Sequence, residues 1–337
     1  MKTNYYQLLE VQPTATLAVI EAAYRTLVGR VQSEPDCLAK ERVLHEAFEM
    51  LSDSRTREAY DIKVRGLGKD AEIGNYKVIE EIAKGGFAVT YRARHVHLEE
   101  DACIKQCLFV STADTQILKA EAKTVWNLRH PSLPSVRDMV LMEDGTFVMI
   151  MSYVPGLTLH KYVQKHGKLS AEDTCFIASR IVNALQYMHY HGVVHGDIKP
   201  ANVILPPSQD KTSTANAVLV DFGLSSVKPS KSSRPLGYTR FYAPPEQEAA
   251  AGPLLPESDL YSLGMTMIYA LSGSEDAVQE KEVPDSIPKV LKEFIYNAIR
   301  EDVLKRPNLQ HYELTREFSK MRLAAFGREN NVMKLLS

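Results

Sequence analysis

The segment His195-Gly196-Asp197-Ile198-Lys199-Pro200-Ala201-Asn202, followed nineteen residues after Asn202 by Asp221-Phe222-Gly223, decides how the rest of this chain is read. It brings two carboxylates, a carboxamide and a lysine into one short span. In-line phosphoryl transfer needs one carboxylate beside the incoming hydroxyl, a second on a divalent cation, and an amide oxygen in that cation's shell. Asp197, Asp221 and Asn202 match those needs in order. Either motif alone is as readily a polar turn. Together, with further elements at regular separations on both sides, they carry weight because independent coincidences multiply.

Working outward, Val78-Ile79-Glu80-Glu81-Ile82 reads as a strand entering Ala83-Lys84-Gly85-Gly86-Phe87-Ala88-Val89-Thr90-Tyr91, and Ala102-Cys103-Ile104-Lys105 as the strand after it. Leu118, Val125 and Leu128 give residues 116–128 an apolar helix face around Glu121, and Phe147 to Gly156 reads as a buried strand ending in a turn. Downstream stand Tyr242-Ala243-Pro244-Pro245-Glu246-Gln247, Ser258-Asp259-Leu260-Tyr261-Ser262-Leu263-Gly264 and Lys305-Arg306-Pro307. On these residues, 76–318 resembles the eukaryotic-type serine/threonine protein kinases, including bacterial members with a His-Gly-Asp catalytic loop.

The resemblance implies an α+β, bilobal kinase fold with a β-rich small lobe at 76–151, a helical large lobe at 156–318 and a tail at 319–337. It implies ATP with Mg²⁺, or Mn²⁺ in its place, as cofactors. Asp197 is then the general base or hydroxyl-orienting group, and Lys199 steadies the moving γ-phosphate. Asn202 and Asp221 hold the metal, and Lys105, paired with Glu121, reaches the α- and β-phosphates. Ala83, Lys84, Gly85, Gly86, Phe87 and Ala88 form the loop over the phosphates, where alanines stand at two flanking glycine positions. Thr90 and Cys103 lie above the adenine, Met151 guards the back pocket, and backbone groups of Ser152 and Val154 meet the adenine edge. Lys199, with Thr239 bridging it to Asp197, implies serine or threonine acceptors. Glu246 and Arg306 form the ion pair of the large lobe.

Gly196 occupies the position where many relatives carry an arginine that grips a phosphorylated activation segment, which weakens the expectation of a phosphate switch. The serines at 225, 226, 230, 232 and 233 are also what a loop contains. His-Gly-Asp occurs as well in kinases of small molecules, but the Glu246, Asp259 and Arg306 segments favour a protein acceptor. A scaffold without catalysis is the remaining alternative, and the presence of Lys105, Glu121, Asp197, Asn202 and Asp221 argues against it.

The 337 residues exceed a usual single domain, and 45% apolar with 24% charged residues is ordinary for a globular protein. A formal charge of −2 without a basic run excludes nucleic acid as an expected partner. Cys37, Cys103, Cys107 and Cys175 make no metal-ligand spacing and read as free thiols in a reducing compartment. No run reaches the roughly 18 apolar residues of a membrane span, so a cytoplasmic location is expected.

Ahead of Arg65-Gly66-Leu67-Gly68-Lys69-Asp70, the chain changes character. Leu17, Ile20, Ala23, Tyr24, Leu27 and Val31 form one helical stripe, and Leu38, Val43, Leu44, Ala47, Phe48 and Leu51 a second, joined through residues 32–37. With Asn4-Tyr5-Tyr6-Gln7-Leu8-Leu9-Glu10-Val11 before them and Tyr60-Asp61 after, residues 4–62 resemble a J-domain. The expected organisation is a helical J-like module at 1–65, a linker at 66–75 and the kinase domain from 76. Where J-domains carry His-Pro-Asp this chain has Gln32-Ser33-Glu34, with Glu34-Pro35-Asp36 two residues late. This departure favours a docking or regulatory module with its own partner over a working co-chaperone with a displaced motif, and a helical hairpin that merely covers the kinase is the further alternative.

Overall fold

Helical spacing of apolar residues gives α1 (Tyr5–Leu8), α2 (Leu17–Val31), α3 (Cys37–Ser52) and α4 (Ser54–Arg65). The computed structural model describes residues 5–31, 37–84, 88–107, 122, 123, 125–142, 146–207, 216–222, 225–227, 229, 233, 235, 237–308 and 313–328. They fall into two units, one of residues 1–117 with 138–151 and one of residues 118–137 with 152–337. In the first, Tyr6, Leu9, Ile20, Leu44, Ala47, Leu51 and Tyr60 make the helical module's core, with Tyr24 stacked on Phe48 at 4.4 Å. Leu17 and Val43 of the two stripes stay outside it. Leu17 is 46% and Val43 40% exposed, because Leu17 opens α2 and Val43 stands roughly 100° around its helix from Leu44.

The module is closed by α4. Asp53 caps it through the amides of Arg55 and Thr56, and Arg57 donates from Nε to the Tyr6 hydroxyl (2.9 Å) and from Nη2 to the carbonyls of Pro13 (2.9 Å) and Ala15 (2.8 Å). The segment 32–36, where the tripeptide departs from the J-domain pattern, lies outside the described residues.

The stretch expected as a linker is built into the small sheet. Strand β1 (Glu72–Ile73) pairs with β2 (Tyr76–Lys84), and β3 (Ala88–His95), β4 (Asp101–Cys107), β5 (Val136–Leu141) and β6 (Phe147–Ser152) complete the order β1-β2-β3-β4-β6-β5. Leu67 and Ala71 pack on the core of this sheet. The Leu67 amide donates to the Tyr91 hydroxyl (2.7 Å) and to Gln106 Oε1 (3.1 Å), while the Tyr91 hydroxyl donates to that same oxygen at 3.1 Å. The chain can turn into this contact because Gly66 holds φ +83° and ψ −177°, a region open essentially to glycine. A Cβ there would lie 2.0 Å from the Tyr91 oxygen.

Gly66→Ala is accordingly expected to destabilise the protein by roughly 2–4 kcal/mol, the sum of backbone strain and overpacking against a tyrosine that is itself buried and bonded. Chemical denaturation of the two proteins checks this. A midpoint unchanged by the substitution would show that Tyr91 gives way freely.

The second unit starts with β7 (Leu157–Thr158), α5 (Leu159–His166) and α6 (Ala171–Tyr190), followed by β8 (Val193–Val194), β9 (Val203–Leu205), β10 (Val218–Leu219) and β11 (Ser226–Val227). These strands form one ladder in the order β10-β9-β7 and a second of β11 with β8. Then come α7 (Pro245–Glu248), α8 (Pro256–Ser272), α9 (Glu275–Gln279), α10 (Lys289–Ala298) and α11 (Glu313–Phe326). Helix α8 is buried all round from Ser258 to Leu271, as its apolar sequence requires, with α6, α9 and α10 against it. Helix α11 runs past residue 318, Phe318 meeting Phe294 edge-on at 4.8 Å. Beyond it Arg328 grips Glu172 with two bonds of 2.6 and 2.7 Å and holds that carboxyl below the usual range. No helix among the described residues is long and apolar enough to cross a membrane.

Candidate active site

The loop after β8 is fixed from below by one buried carboxylate. Asp259 of α8 accepts the amide of His195 on Oδ2 (2.9 Å) and that of Gly196 on Oδ1 (2.8 Å), and its Oδ2 also meets His189 Nε2 at 2.7 Å. Gly196 takes φ +75° at this bend, which glycine adopts without steric cost. His195 is fully enclosed. Its Nδ1 accepts the Asp197 amide (3.2 Å), so the proton is assigned to Nε2, which faces the Val220 carbonyl at 3.2 Å. Burial holds this imidazole below its ordinary pKa, against the opposing pull of Asp259, Asp197 and Asp221.

Above this support the polar groups converge. Asp197 Oδ2 accepts from Lys199 Nζ (2.8 Å) and Asn202 Nδ2 (3.0 Å), and Oδ1 accepts from the Thr239 hydroxyl (2.6 Å). Lys199 Nζ donates in addition to Thr239 Oγ1 at 2.8 Å, closing a triangle of carboxylate, ammonium and hydroxyl. Asn202, in the 3₁₀ turn Pro200–Asn202, gives its amide also to the Asp197 carbonyl (2.8 Å), so both its amide hydrogens are spent on one residue. Its own carbonyl accepts the Val220 amide at 2.9 Å, tying the loop to the segment that carries Asp221. Asp221 sits at φ +71°, a left-handed backbone, with the Phe222 ring 5.9 Å from that of His195. Gly223 lies outside the described residues.

The activation-segment side is held by two further contacts. Gln247 Nε2 donates to the carbonyls of Gly196 and Gly237, both at 2.8 Å. Glu246 and Arg306 form the expected pair, with Nη1 to Oε1 at 2.6 Å and Nη2 to Oε2 at 2.9 Å. Tyr242 gives its hydroxyl to Glu275, and burial with that carboxylate beside it drives the phenol's pKa far up. Cys175 on α6 is enclosed, and burial pushes its thiol up to about 12.

In the first unit, the register pairs Thr90 with Lys105 and Arg92 with Cys103. Thr90, Cys103 and Lys105 therefore share one face of the sheet, while Val89, Tyr91, Ala102, Ile104 and Gln106 bury the other. Ala83 and Lys84 end β2 opposite Thr90 and Val89, and Ala88 begins β3, so the expected loop is a hairpin. Its tip, Gly85, Gly86 and Phe87, and the partner glutamate Glu121 fall outside the described residues. Met151 is buried at the end of β6. In the second unit Ser152 is bonded to Ser135 through its amide (2.8 Å) and its hydroxyl (2.9 Å). Val154 follows two residues on, half-buried.

Three supporting residues carried no assigned role in the sequence. Asp259 was legible only as a carboxylate inside an apolar helix, itself a signal of a buried polar duty. His189 and Gln247 had no such signal, since their partners are 10 to 70 positions away.

Comparison with known proteins gives the family. A protein kinase domain model matches residues 76–318 and a DnaJ domain model residues 4–61. The serine/threonine-protein kinase PrkC of Bacillus subtilis is 28% identical over 257 residues, 69% of this chain and 38% of that protein. Serine/threonine-protein kinase B of Synechocystis is 32% identical over 220 residues, 59% of this chain and 37% of its own length. Serine/threonine-protein kinase PknA of Mycobacterium tuberculosis is 26% identical over 259 residues, 71% of this chain and 58% of that protein. The chain thus spans well under two thirds of these relatives.

Proposed function

This chain belongs to the protein kinase family, and from that premise we propose that it transfers the γ-phosphoryl group of ATP to serine and threonine hydroxyls of proteins. The observation that carries the proposal is the closed triangle of Asp197, Lys199 and Thr239, backed by Asn202. It holds a carboxylate with fixed orientation beside a cation, the arrangement an incoming hydroxyl and a phosphoryl group in flight both require.

In this reading Asp197 accepts and orients the acceptor hydroxyl, and Lys199 meets the charge that develops on the γ-phosphoryl oxygens. Lys105 shares one face of the sheet with Thr90 and Cys103, the face this reading gives to the nucleotide. The residues fit a hard divalent cation. With both Asn202 amide hydrogens engaged on Asp197, its oxygen is the end turned to a ligand, and Asp221 adds a carboxylate. Mg²⁺, or Mn²⁺, bound there with the phosphates neutralises their charge and aligns the leaving oxygen. The Lys199–Thr239 contact favours serine and threonine over tyrosine, and the Glu246–Arg306 pair favours a protein acceptor over a small molecule. The DnaJ domain serves as the docking module for a partner of chaperone or substrate type. Free thiols at the four cysteines support a cytoplasmic setting.

Incubation of the full chain with Mg²⁺, γ-labelled ATP and a generic basic protein acceptor is expected to yield phosphoserine and phosphothreonine on hydrolysis. Label appearing only on an aminoglycoside or choline, or only as phosphotyrosine, would overturn the assignment.

A further inference from the structure

We propose that Gln247 is a positioning residue for the phosphoryl transfer, and that the activation segment is held against the catalytic loop by this neutral amide without a phosphate. The inference rests on the kinase reading above and assigns a role to a residue outside the reacting groups. Gln247 is 2% exposed, and its two amide hydrogens reach two glycine carbonyls at 2.8 Å each. One acceptor is Gly196, the neighbour of Asp197. The other is Gly237, two residues before Thr239.

These contacts close a ring. The chain runs from Gly196 to Asp197, across the 2.6 Å bond to Thr239, back to Gly237, and through Gln247 to Gly196 again. Gln247 therefore sets the spacing of the two backbones whose side chains meet at the Asp197, Lys199 and Thr239 triangle. Inside protein, both carbonyls would lose their partner if the amide were replaced, and the segment 237–239 would drift until water satisfied them. Thr239 would leave Asp197 in that drift. Because the linking donor is uncharged, and Gly196 offers no cation to a phosphate, the ordered state requires no modification of the serines nearby.

Gln247→Met removes both donors at constant length, and Gln247→Glu sets a carboxylate against two carbonyl oxygens. Each is expected to lower kcat about tenfold or more, while KM for ATP stays within about twofold. Added to Thr239→Val, Gln247→Met should cost less than it does alone, because both act on one contact. Amide hydrogen exchange in residues 195–197 and 237–243 should quicken, and phosphatase treatment of the wild-type chain should leave kcat within about twofold. Full additivity with Thr239→Val, unchanged exchange, or activity abolished by phosphatase would each overturn the proposal. If the wild-type chain transfers phosphate to no acceptor, the functional reading fails, and the exchange measurement by itself decides whether Gln247 orders the segment.

Discussion

Asp197→Asn is expected to lower kcat by about 10²–10⁴-fold while ATP binding, measured by calorimetry, stays within a few-fold of wild type. The side chain keeps its shape, and what disappears is the negative charge proposed to orient the acceptor hydroxyl. In the native site the carboxylate takes three bonds at once, from Lys199, Asn202 and Thr239, which uses most of its acceptor capacity and leaves it one orientation. Asparagine retains one acceptor oxygen: in the Oδ2 place it keeps Lys199 and Asn202 but turns an amide hydrogen toward the Thr239 hydroxyl, and in the Oδ1 place it sets that amide against both other donors. Asp197→Ala should be as slow and also less stable, because Lys199 would then stand beside an empty place with its side chain largely enclosed. The comparison separates the roles. A matching loss of ATP affinity in Asp197→Asn would make the residue part of the nucleotide site or the fold, whereas loss of kcat alone assigns it to the transfer step.

The sequence carried the chemistry of the loop further than its mechanical support. Asp197, Lys199 and Asn202 lie within six residues, where spacing constrains geometry, and Thr239 entered through family resemblance. The structure brings all four side chains together. Asp259 and Gln247 work through backbone groups 10 to 64 positions away, and no local pattern encodes such a pairing. The same limit explains the linker. A two-residue strand has no period to detect, so β1 and the Leu67 contact with Tyr91 and Gln106 depend wholly on tertiary partners. The alternation of β4, by contrast, puts Cys103 and Lys105 on one face, because a strand's period of two leaves no other choice, and the register with β3 adds Thr90 to it. Helix faces were legible to within a turn, which is why Ile20 and Leu44 are core while Leu17 and Val43 are not.

Arg306→Met should be the most destabilising single change in the second unit, at about 3–5 kcal/mol. The Arg306 side chain is fully enclosed, and all five of its N–H groups are used. Nε donates to the Arg300 carbonyl (2.7 Å), Nη1 to Glu246 and the Glu257 carbonyl (3.2 Å), and Nη2 to Glu246 and the Glu301 carbonyl (3.1 Å). Its plane lies over the Tyr261 ring at 4.9 Å. One residue thereby joins the end of the activation segment, the start of α8 and the loop after α10. Methionine fills the space but strands three carbonyls, and among the described residues Glu246 keeps the Ser258 hydroxyl (2.8 Å). Arg306→Lys should cost nearly as much, since an ammonium has three donors and no planar fork for a bidentate carboxylate. In a unit of this size such losses move the melting temperature by about 10 °C. The double change Arg306→Met with Glu246→Leu should recover part of the loss, because it removes the charge that the single change leaves unpaired. Melting curves of the four proteins test the account: a lysine variant as stable as wild type would refute the need for the fork, and a double variant no better than Arg306→Met would show that the stranded carbonyls, not the unpaired carboxylate, carry the cost.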